Sequence, residues 1–295
     1  MLDKIKDISD LKVETDVNLE RYTTYKIAAM GKYLCTVKTE DALIELLQLL
    51  KEENVPYRIL GGGSNIIFKN DIYEGVLIKL DFDELNIDNA HITVGAGYST
   101  QRLALKLCRL GYTGIEFATG IYGTIGGAIY NNAGAYKSDM GYIVKRIRVL
   151  TPSYEIKTME NKELEFHYRT SFLKTNPSYI CLSAEMELGT GNSAEIMELV
   201  EDRKKRRMLA QPLEYPSAGS VFRNPEGNFA GKLIEDAGFK GYHYGKAQVS
   251  EKHANFIITE KGVHGSDIVT LINLIKEKVK EKFDIELILE QEIIE

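Results

Sequence analysis

Two glycine-rich stretches of the sequence have the composition of a phosphate-binding backbone. The first is the run GGGSN at residues 61–65, and the second spans residues 119–127, where four of nine residues are glycine. Consecutive glycines let backbone N–H groups approach an anion closely, and the serine and asparagine of the first run add side-chain donors. A hairpin turn would explain the first run equally well. Two such runs in one chain, however, favour a large diphosphate ligand pressed against bare backbone.

A third glycine-containing segment imitates a dinucleotide-binding fingerprint. Gly95 and Gly97 follow a strand-like run and precede a helix-like one, and Glu116 lies near the spacing of the usual acidic residue. However, Thr100 occupies the position that must be glycine or alanine if the helix is to pack closely on the strand. Because a single imperfect match is weak, we predict a plain turn at this segment.

The three cysteines do not form a reactive or metal-binding arrangement. Cys35, Cys108 and Cys181 are far apart and include no C-x-x-C pair. This spacing indicates neither a zinc site nor a disulfide framework, and we expect no metal. Cys108 lies in an apolar helical run and Cys181 in an alternating strand pattern, so both are predicted to be packing residues rather than nucleophiles.

The composition is that of a globular protein of two or three domains. The 295 residues are 44% hydrophobic and 27% charged, and the net charge is −6, which argues mildly against a protein that coats nucleic acid. The charged first residues lack the apolar core of a signal peptide, and no run of roughly 18 apolar residues occurs. We therefore expect a cytoplasmic protein with no membrane and no nucleic-acid partner.

Helical and strand-like patterns are mixed along the chain without strict alternation, which predicts an α+β fold. Apolar spacing predicts helices at residues 42–53, 100–110, 194–209 and 267–283. The expected N-caps are Thr39, Ser99 and Ser266, and Gly111 ends the second helix. Strands are predicted at residues 57–60, 66–68, 76–80, 91–94, 144–150, 164–168, 179–188 and 285–294. The polar helix at 194–209 indicates a connector, and we predict a domain boundary near residues 190–211.

Several motifs resemble, in order and spacing, those of the UDP-N-acetylenolpyruvoylglucosamine reductase family. They are ILGGGSNIIF (59–68), GIEFATGIYGTIGGA (114–128), NAGAY (132–136), YRTS (168–171), QPLEYPSAGSVFRNP (211–225), AGKLIEDAG (230–238) and AQVSEKHANFII (247–258). The resemblance covers roughly residue 18 to the end of the chain. Because only a short segment separates Ser220 from Gly231, the sequence looks like the short, second type of the family.

The resemblance implies an enzyme that reduces UDP-N-acetylglucosamine enolpyruvate to UDP-N-acetylmuramate in peptidoglycan biosynthesis. Non-covalent FAD would be the cofactor and NADPH the co-substrate. The implied fold is an FAD-binding domain of the vanillyl-alcohol-oxidase (PCMH) type at residues 1–195, with lobes at about 18–80 and 81–195. A C-terminal α+β domain at residues 196–295 would bind the UDP-sugar. The expected oligomeric state is a monomer.

The resemblance also assigns functional residues. Arg169 would hold the substrate carboxylate, Ser220 would donate a proton to carbon, and Glu290, with a raised pKa, would be the catalytic carboxylate. Glu292 is the alternative to Glu290, because the ending LEQEIIE departs from the family's usual one. The implied FAD contacts are Gly61, Gly62, Gly63, Ser64, Asn65, Gly120, Gly123, Thr124, Gly126, Gly127, Ala133 and Gly134. The implied substrate contacts are Asn224, Tyr242 and Lys252, with His253 a weaker candidate.

Without the family resemblance, the residue types alone assign no chemical role to these positions. Without the resemblance, Arg169 would be a surface arginine beside the strand at 164–168, and Ser220 would be a turn or capping residue. Glu290 and Glu292 would be solvated glutamates on an edge strand. Their chemical roles therefore depend on the family match.

The chain also departs from the family pattern at several positions. Residues 28–30 read AAM where Gly-Gly-Pro is usual, and Tyr122 replaces a proline in the second glycine stretch, so FAD binding could be looser. Ala210 replaces a lysine, and Lys246 replaces a glycine. Two other functions stay open: a related FAD oxidase, which the YRTS and AGSVFRNP motifs argue against, and a diverged nucleotide-binding protein without catalysis.

Overall fold

The computed structural model describes residues 2–295, which divide into two compact units of discontinuous chain. Unit 1 contains the chain up to Glu14, Tyr33–Gly62 and Gly75–Lys204. Unit 2 contains Thr15–Lys32, Gly63–Glu74 and Lys205–Glu295. The mixture of helices and strands confirms the predicted α+β class.

The strands are short and spread along the described chain. They are β1 (Leu11–Asn18), β2 (Met30–Val37), β3 (Tyr57–Ile59), β4 (Ile66–Phe68), β5 (Ile72–Leu80), β6 (Leu85–Asp88), β7 (His91–Gly95), β8 (Tyr112–Thr113), β9 (Gly134–Ala135), β10 (Ser138–Asp139), β11 (Val144–Leu150), β12 (Ile156–Glu160), β13 (Ile180–Glu187), β14 (Gly189–Thr190), β15 (His243–Tyr244), β16 (Ala247–Val249), β17 (Ile257–Thr259) and β18 (Glu292–Ile294).

The helices range from a single turn to about five turns. They are α1 (Leu2–Lys6), α2 (Glu40–Glu52), α3 (Thr100–Arg109), α4 (Ile125–Tyr130), α5 (Met140–Ile143), α6 (Phe172–Thr175), α7 (Ser193–Ala210), α8 (Ala230–Asp236) and α9 (Gly265–Phe283). Short 3-10 turns occur at Leu19–Arg21, Glu116–Gly120 and Asn161–Glu163. Within residues 2–295, no helix combines the length and the apolar content needed to cross a membrane.

One core of unit 1 lies on a five-stranded antiparallel sheet. The strands are ordered β12-β11-β13-β7-β6. Ile92 and Val94 of β7 alternate with exposed residues and point into this core, as expected of a strand with one solvated face. Helix α3 adds Leu103 and Leu107, which lie four positions apart and therefore on one helix face. This core supports the second glycine stretch, because Ile125 and Ile129 of α4 are also buried in it.

Another core of unit 1 forms around α2. Leu43, Leu46 and Leu50 of α2 pack with Val76 and Ile78 of β5. Strand β5 pairs in parallel with β3 in a four-stranded sheet of order β1-β2-β5-β3. The unit boundaries fall inside β1, β2 and β5. The first glycine stretch follows β3 directly, so this sheet fixes where that stretch begins.

Unit 2 is organised around α9. Its buried stripe repeats every three or four residues, as the sequence predicts for residues 267–283, and consists of Ile268, Leu271, Ile272, Ile275 and Val279. Helix α9 packs on α8, on β15 and β16 of a three-stranded antiparallel sheet, and on β4. Strand β4 pairs in parallel with β18, so the C-terminal tail is held beside the segment that follows the first glycine stretch.

Local signals place several elements correctly. Thr39 caps α2 by accepting a hydrogen bond from Ala42 N, and Ser99 caps α3 in the same way. Gly111, with φ +86°, ends α3. The predicted N-cap Ser266 is wrong: α9 begins at Gly265, after His264. Residue 265 must be glycine, because a β-carbon there would overlap the backbone of the chain at residues 68–69.

Of the predicted strands, one is too long and another does not form. The tail at residues 285–294 forms a strand only at its end, β18, because the residues before it pair irregularly with residues 221–223 instead. Residues 164–168 do not form a strand. The chain there makes a tight turn in which His167 and Thr170 each donate a backbone hydrogen bond to the other, at 3.1 Å.

Cys108 and Cys181 are packing residues, as predicted, and Cys35 is buried as well. All three are buried and none forms a disulfide. Burial raises the pKa of the Cys35, Cys108 and Cys181 thiols to about 12. Since the thiolate is the nucleophilic form, none of the three is suited to covalent catalysis.

Candidate active site

Residues 61–62 of the first glycine stretch meet the second stretch within unit 1. A β-carbon placed on Gly62 would lie 2.5 Å from Cα of Gly123, and one placed on Gly61 would lie 2.8 Å from Oγ1 of Thr124. Side chains larger than hydrogen are therefore incompatible with this approach of the two backbones. Gly123 also has φ +131°, which side-chain-bearing residues rarely adopt. Two segments distant in sequence thus come into direct contact with no side chain between them, and we call this contact the glycine cradle.

The second glycine stretch opens helix α4. Thr124 is the N-cap, and its Oγ1 accepts a hydrogen bond from Gly127 N at 3.3 Å. A β-carbon on Gly126 would lie 3.1 Å from Cβ of Ala96, so this glycine is also needed for the packing of α4. Gly120 ends the preceding 3-10 turn. The predicted cofactor residues of this stretch therefore lie together at the start of α4.

Gly95 and Gly97, the glycines of the imitated fingerprint, have a structural role. β-Carbons at these positions would overlap backbone carbonyl oxygens of Phe82 and Leu80, respectively. The residues between β7 and α3 form a turn, as predicted. Glu116, the apparent acidic partner, is buried and accepts hydrogen bonds from its neighbours Thr113 and Gly114. This segment is consequently explained by packing.

Asn65 of the first glycine stretch holds the C-terminal tail within unit 2. Its Nδ2 donates to the carbonyl oxygen of Glu290 at 3.2 Å. Its own carbonyl oxygen accepts from the backbone N–H of Glu292 at 2.9 Å. The sequence suggested Asn65 as a donor to a cofactor, but gave no signal for this second role, because the partners are separated by 225 residues.

Asn132, in the NAGAY motif, is a buried residue whose side chain hydrogen-bonds to two separate segments, a role that the sequence did not predict. It has φ +42° and is 2% exposed. Its Nδ2 donates to the carbonyl oxygen of His167 at 2.9 Å, and its Oδ1 accepts from Gly141 N at 3.0 Å. Asparagine is one of the few side-chain-bearing residues that tolerate a left-handed backbone. Its type at this position therefore satisfies the backbone conformation and both hydrogen bonds.

Arg169 lies at the tip of the turn that Asn132 holds. Its Nη2 donates to the carbonyl oxygen of Gly134 at 2.7 Å, and its guanidinium carbon lies 5.2 Å from the centre of the Tyr168 ring. The backbone of Arg169 is left-handed, with φ +57°, which is uncommon and often marks a functional site. Ser171 closes the turn, since its buried hydroxyl donates to Tyr130 O at 2.8 Å.

Ser220 begins a segment of unit 2 that lies between two others. On one side it forms an isolated β-bridge with Phe256, and on the other side Val221 O accepts from Glu290 N at 2.9 Å. Gly219, just before Ser220, has φ +74°, and a β-carbon there would meet no atom within 4 Å. Ser220 is therefore anchored by its backbone beside an open turn, and the next residue, Val221, pairs with Glu290 of the C-terminal tail.

The two candidate glutamates differ in their neighbours. Glu290 pairs through its N–H with Val221, the residue after Ser220. Glu292 lies in β18 and pairs with Ile66 of β4. Glu290 is thus the glutamate whose backbone is adjacent to Ser220.

Asn255 fixes the same segment from the opposite side and was also missed. It is 4% exposed, its Oδ1 accepts from Phe222 N at 3.0 Å and its Nδ2 donates to Phe222 O at 2.8 Å. His253 supports it, because Nδ1 of His253 accepts from Asn255 N at 3.2 Å. Burial lowers the pKa of His253, so the neutral, hydrogen-bond-accepting ring is favoured.

The three suggested substrate contacts differ in their exposure and in their hydrogen-bond partners. Oδ1 of Asn224 accepts from Ala230 N at 3.0 Å, at the start of α8. Tyr242 is 45% exposed, and Lys252 forms an exposed ion pair with Glu214 at 3.3 Å. Exposed groups like these remain accessible to a ligand. Among residues 2–295, no group of three or more His, Cys, Asp and Glu side chains is arranged to hold a metal ion.

Two positions that depart from the family pattern have defined contacts. The N–H of Ala28 donates to Val263 O at 2.8 Å. Lys246 Nζ donates to the carbonyl oxygen of Lys261 at 3.1 Å. Both residues lie in unit 2; the first contact joins two backbones, and the second joins a side chain to a backbone carbonyl.

Two family models match the chain. Residues 32–160 match the FAD binding domain, and residues 211–294 match the C-terminal domain of UDP-N-acetylenolpyruvoylglucosamine reductase. The first match contains the two glycine stretches and Asn132. The second contains Ser220 and Glu290. These matches confirm the predicted fold class, an FAD-binding domain of the PCMH type combined with a C-terminal α+β domain.

Several relatives resemble the chain over nearly its whole length. The UDP-N-acetylenolpyruvoylglucosamine reductase of Anoxybacillus flavithermus is 41% identical over 284 residues, which are 96% of this chain and 94% of the relative. The enzyme of the same name from Bacillus subtilis is 37% identical, over 100% of this chain and 98% of the relative. The crystal structure of the reductase from Thermus caldophilus superposes with a TM-score of 0.83, at 30% identity, over 97% of this chain and 100% of that one.

Proposed function

Because the chain belongs to the UDP-N-acetylenolpyruvoylglucosamine reductase family, we propose that it reduces UDP-N-acetylglucosamine enolpyruvate to UDP-N-acetylmuramate. It is an FAD-dependent oxidoreductase, and NADPH is the reductant that the family implies. The observation that carries the proposal is the backbone hydrogen bond from Glu290 N to Val221 O, which supports a shared role for Glu290 and Ser220 because their backbones are adjacent.

The proposed division of labour follows the sequence. Residues 1–195 bind FAD, with lobes at about 18–80 and 81–195, and residues 196–295 bind the UDP-sugar. The extents of the two family matches, 32–160 and 211–294, support this division. The enzyme acts as a monomer in the cytoplasm, where UDP-sugars and NADPH are both available, and it needs neither a membrane nor nucleic acid.

The glycine cradle fits FAD. A pyrophosphate needs N–H groups at close range without intervening side chains, and the absence of side chains at Gly61, Gly62 and Gly123 supports this assignment. The residues proposed to hold FAD are Gly61, Gly62, Gly63, Ser64, Asn65, Gly120, Gly123, Thr124, Gly126, Gly127, Ala133 and Gly134. When bound, FAD carries the hydride from NADPH to the enolpyruvyl double bond.

The residues of the chain must stabilise negative charge and supply a proton. Hydride addition to the outer carbon of the enolpyruvyl group leaves negative charge on the inner carbon and on its carboxylate. Arg169 binds that carboxylate, because a guanidinium presents two parallel donors to a carboxylate and strengthens its hold as charge increases. The left-handed turn, the Gly134 contact and the Asn132 bond support an arginine held in one orientation.

Ser220 donates the proton to the inner carbon. A serine hydroxyl is a weak acid, but an enolate-like carbon is basic enough to take its proton. Glu290, in its protonated form, donates a hydrogen bond to the same carboxylate. Asn224, Tyr242 and Lys252 bind the UDP-sugar, for which the exposure of Tyr242 and Lys252 is suitable.

Turnover tests the proposal. Purified protein with added FAD should oxidise NADPH only when UDP-N-acetylglucosamine enolpyruvate is present, with one product molecule for each NADPH consumed. The product should have the mass of UDP-N-acetylmuramate, two hydrogens above that of the substrate. If NADPH were oxidised at the same rate without the sugar, with oxygen as the acceptor, the assignment of substrate would be wrong.

A further inference from the structure

We propose that the buried pair Tyr25 and Gln291 positions Ser220 and Glu290 for proton delivery. The inference rests on the roles proposed above for those two residues. Tyr25 is 0% exposed and Gln291 is 4% exposed. The Tyr25 hydroxyl donates to Oε1 of Gln291 at 2.9 Å. All of these residues belong to unit 2.

The amide of Gln291 connects the tail to the serine turn. Its Nε2 donates to the carbonyl oxygen of Ala218 at 3.0 Å and to that of Ser220 at 3.4 Å. These two carbonyls flank Gly219, whose left-handed backbone faces open space. A turn that lacks packing on one side depends on such bonds for a fixed conformation. Gln291 therefore determines where the Ser220 backbone lies relative to the tail.

Tyr25 anchors the other end of the same turn. Its carbonyl oxygen accepts from the Thr259 hydroxyl at 2.6 Å, and Thr259 N donates to Pro216 O at 3.0 Å. Hydrogen bonds thus hold the turn at residues 216–220 at its start through Thr259 and at its end through Gln291. Both Thr259 and Gln291 are in turn hydrogen-bonded to Tyr25.

The burial of Gln291 also orients Glu290. In an extended chain, successive side chains point to opposite sides. With Gln291 directed into the interior, the neighbouring Glu290 must point away from the interior. A shift of the tail's pairing register by one residue would exchange the directions of the two side chains. The cost of burying an unpaired amide opposes that shift, because each of its polar atoms is satisfied only in this register. The pair therefore sets both the position of Ser220 and the direction of Glu290.

The double variant Tyr25→Phe/Gln291→Met separates positioning from folding. It removes both members of the hydrogen-bonded pair together, so neither side chain is left buried and unsatisfied, and the remaining loss of stability is that of the two carbonyls that lose their donor. The carbonyls of Ala218 and Ser220 lose their donor, and the turn is free to move. We expect reduction of bound FAD by NADPH at the wild-type rate and reoxidation by UDP-N-acetylglucosamine enolpyruvate slowed by at least about tenfold, since small displacements of reacting groups have effects of this size.

Anaerobic stopped-flow absorbance measures the two half-reactions separately. Tyr179→Phe is the matched control, because it removes a tyrosine hydroxyl in unit 1, where the ring packs on Phe172 at 5.1 Å; both of its rates should be unchanged. Tyr25→Phe alone serves if the double variant does not fold, and it should slow reoxidation and leave reduction unaffected.

Reoxidation of the double variant, or of Tyr25→Phe, at the wild-type rate would overturn the inference and leave the proposed function intact. Equal slowing of both half-reactions would also overturn it, because the pair would then support the fold in general. If the wild-type protein itself were not reoxidised by the enolpyruvyl sugar, the proposed function would fail and the inference with it.

Discussion

The Nδ2 atom of Asn132 donates a hydrogen bond to the carbonyl oxygen of His167 at 2.9 Å, two residues before Arg169. The same side chain accepts from Gly141 N, and its backbone is left-handed. One asparagine thus links the segment after α4 to the turn that presents the arginine. Its loss should affect the arginine without removing any group that touches the substrate.

Replacement of Asn132 by glycine keeps the left-handed backbone but removes both hydrogen bonds. We expect the free energy of unfolding to fall by about 1–3 kcal/mol, the cost of leaving buried partners unsatisfied. Asn132→Ala should lose about 1 kcal/mol more, because alanine resists a positive φ. Chemical denaturation with saturating FAD measures both values. Equal stability of the two variants would contradict a role for the backbone conformation.

Arg169→Lys tests the need for a guanidinium. Lysine keeps the charge but cannot offer two parallel donors to a carboxylate. We expect kcat for reduction of the enolpyruvyl sugar to fall by about 10²–10³-fold, with little change in the rate at which NADPH reduces the bound FAD. A variant with near-normal kcat would show that Arg169 supplies charge alone.

Glu290→Gln and Glu292→Gln form a matched pair that decides between the two glutamates. The first should lower kcat by about 10²-fold, the effect of losing one strong donor to developing charge, because an amide N–H is a much weaker donor to a carboxylate than a carboxylic acid O–H. The second should leave kcat within about twofold. Steady-state kinetics measures both. The reverse pattern would assign the catalytic carboxylate to Glu292.

Gly62→Ala should weaken FAD binding. The added β-carbon would lie 2.5 Å from Cα of Gly123, so the two glycine stretches must separate. We expect the dissociation constant for FAD to rise at least about tenfold, equivalent to about 1.4 kcal/mol. The control is Gly191→Ala, where the β-carbon would have an ordinary contact with Ile196 at 3.4 Å. Fluorescence titration with FAD measures both, and unchanged binding by Gly62→Ala would remove the cradle from the FAD site.

Stability should decline in alkaline solution. The ordinary thiol pKa of 9.0 is raised by burial to about 12 for each cysteine. Above pH 9 the unfolded state loses protons that the folded state retains, so the free energy of unfolding falls as the pH rises from about 9 towards 12. Cys181→Ala should make this decline less steep. A stability that is independent of pH over that range would contradict the burial of the thiols.

The sequence predicted the elements whose causes are local. The caps Thr39 and Ser99 and the buried stripe of α9 depend on residues a few positions apart, and they agree with the structure. The tail was predicted as one long strand because its composition favours a strand. Its actual pairing depends on residues 65–68 and 221–223, which no local pattern reveals.

The same distinction applies to the candidate site. The glycine stretches were visible in the sequence because glycine is informative by its type. Asn132, Asn255 and Gln291 were missed, because a buried amide is recognised only by its partners, and these partners lie tens to hundreds of residues away or in irregular segments.

The most direct test of the account is the visible absorbance of the FAD-loaded protein through two anaerobic additions. NADPH should bleach the absorbance, and UDP-N-acetylglucosamine enolpyruvate should then restore it. In Ser220→Ala the first change should occur at the wild-type rate, and the second should be slowed by about 10²-fold or more. Restoration of the wild-type absorbance only on admission of air would contradict the account, and so would prompt restoration by the sugar in Ser220→Ala.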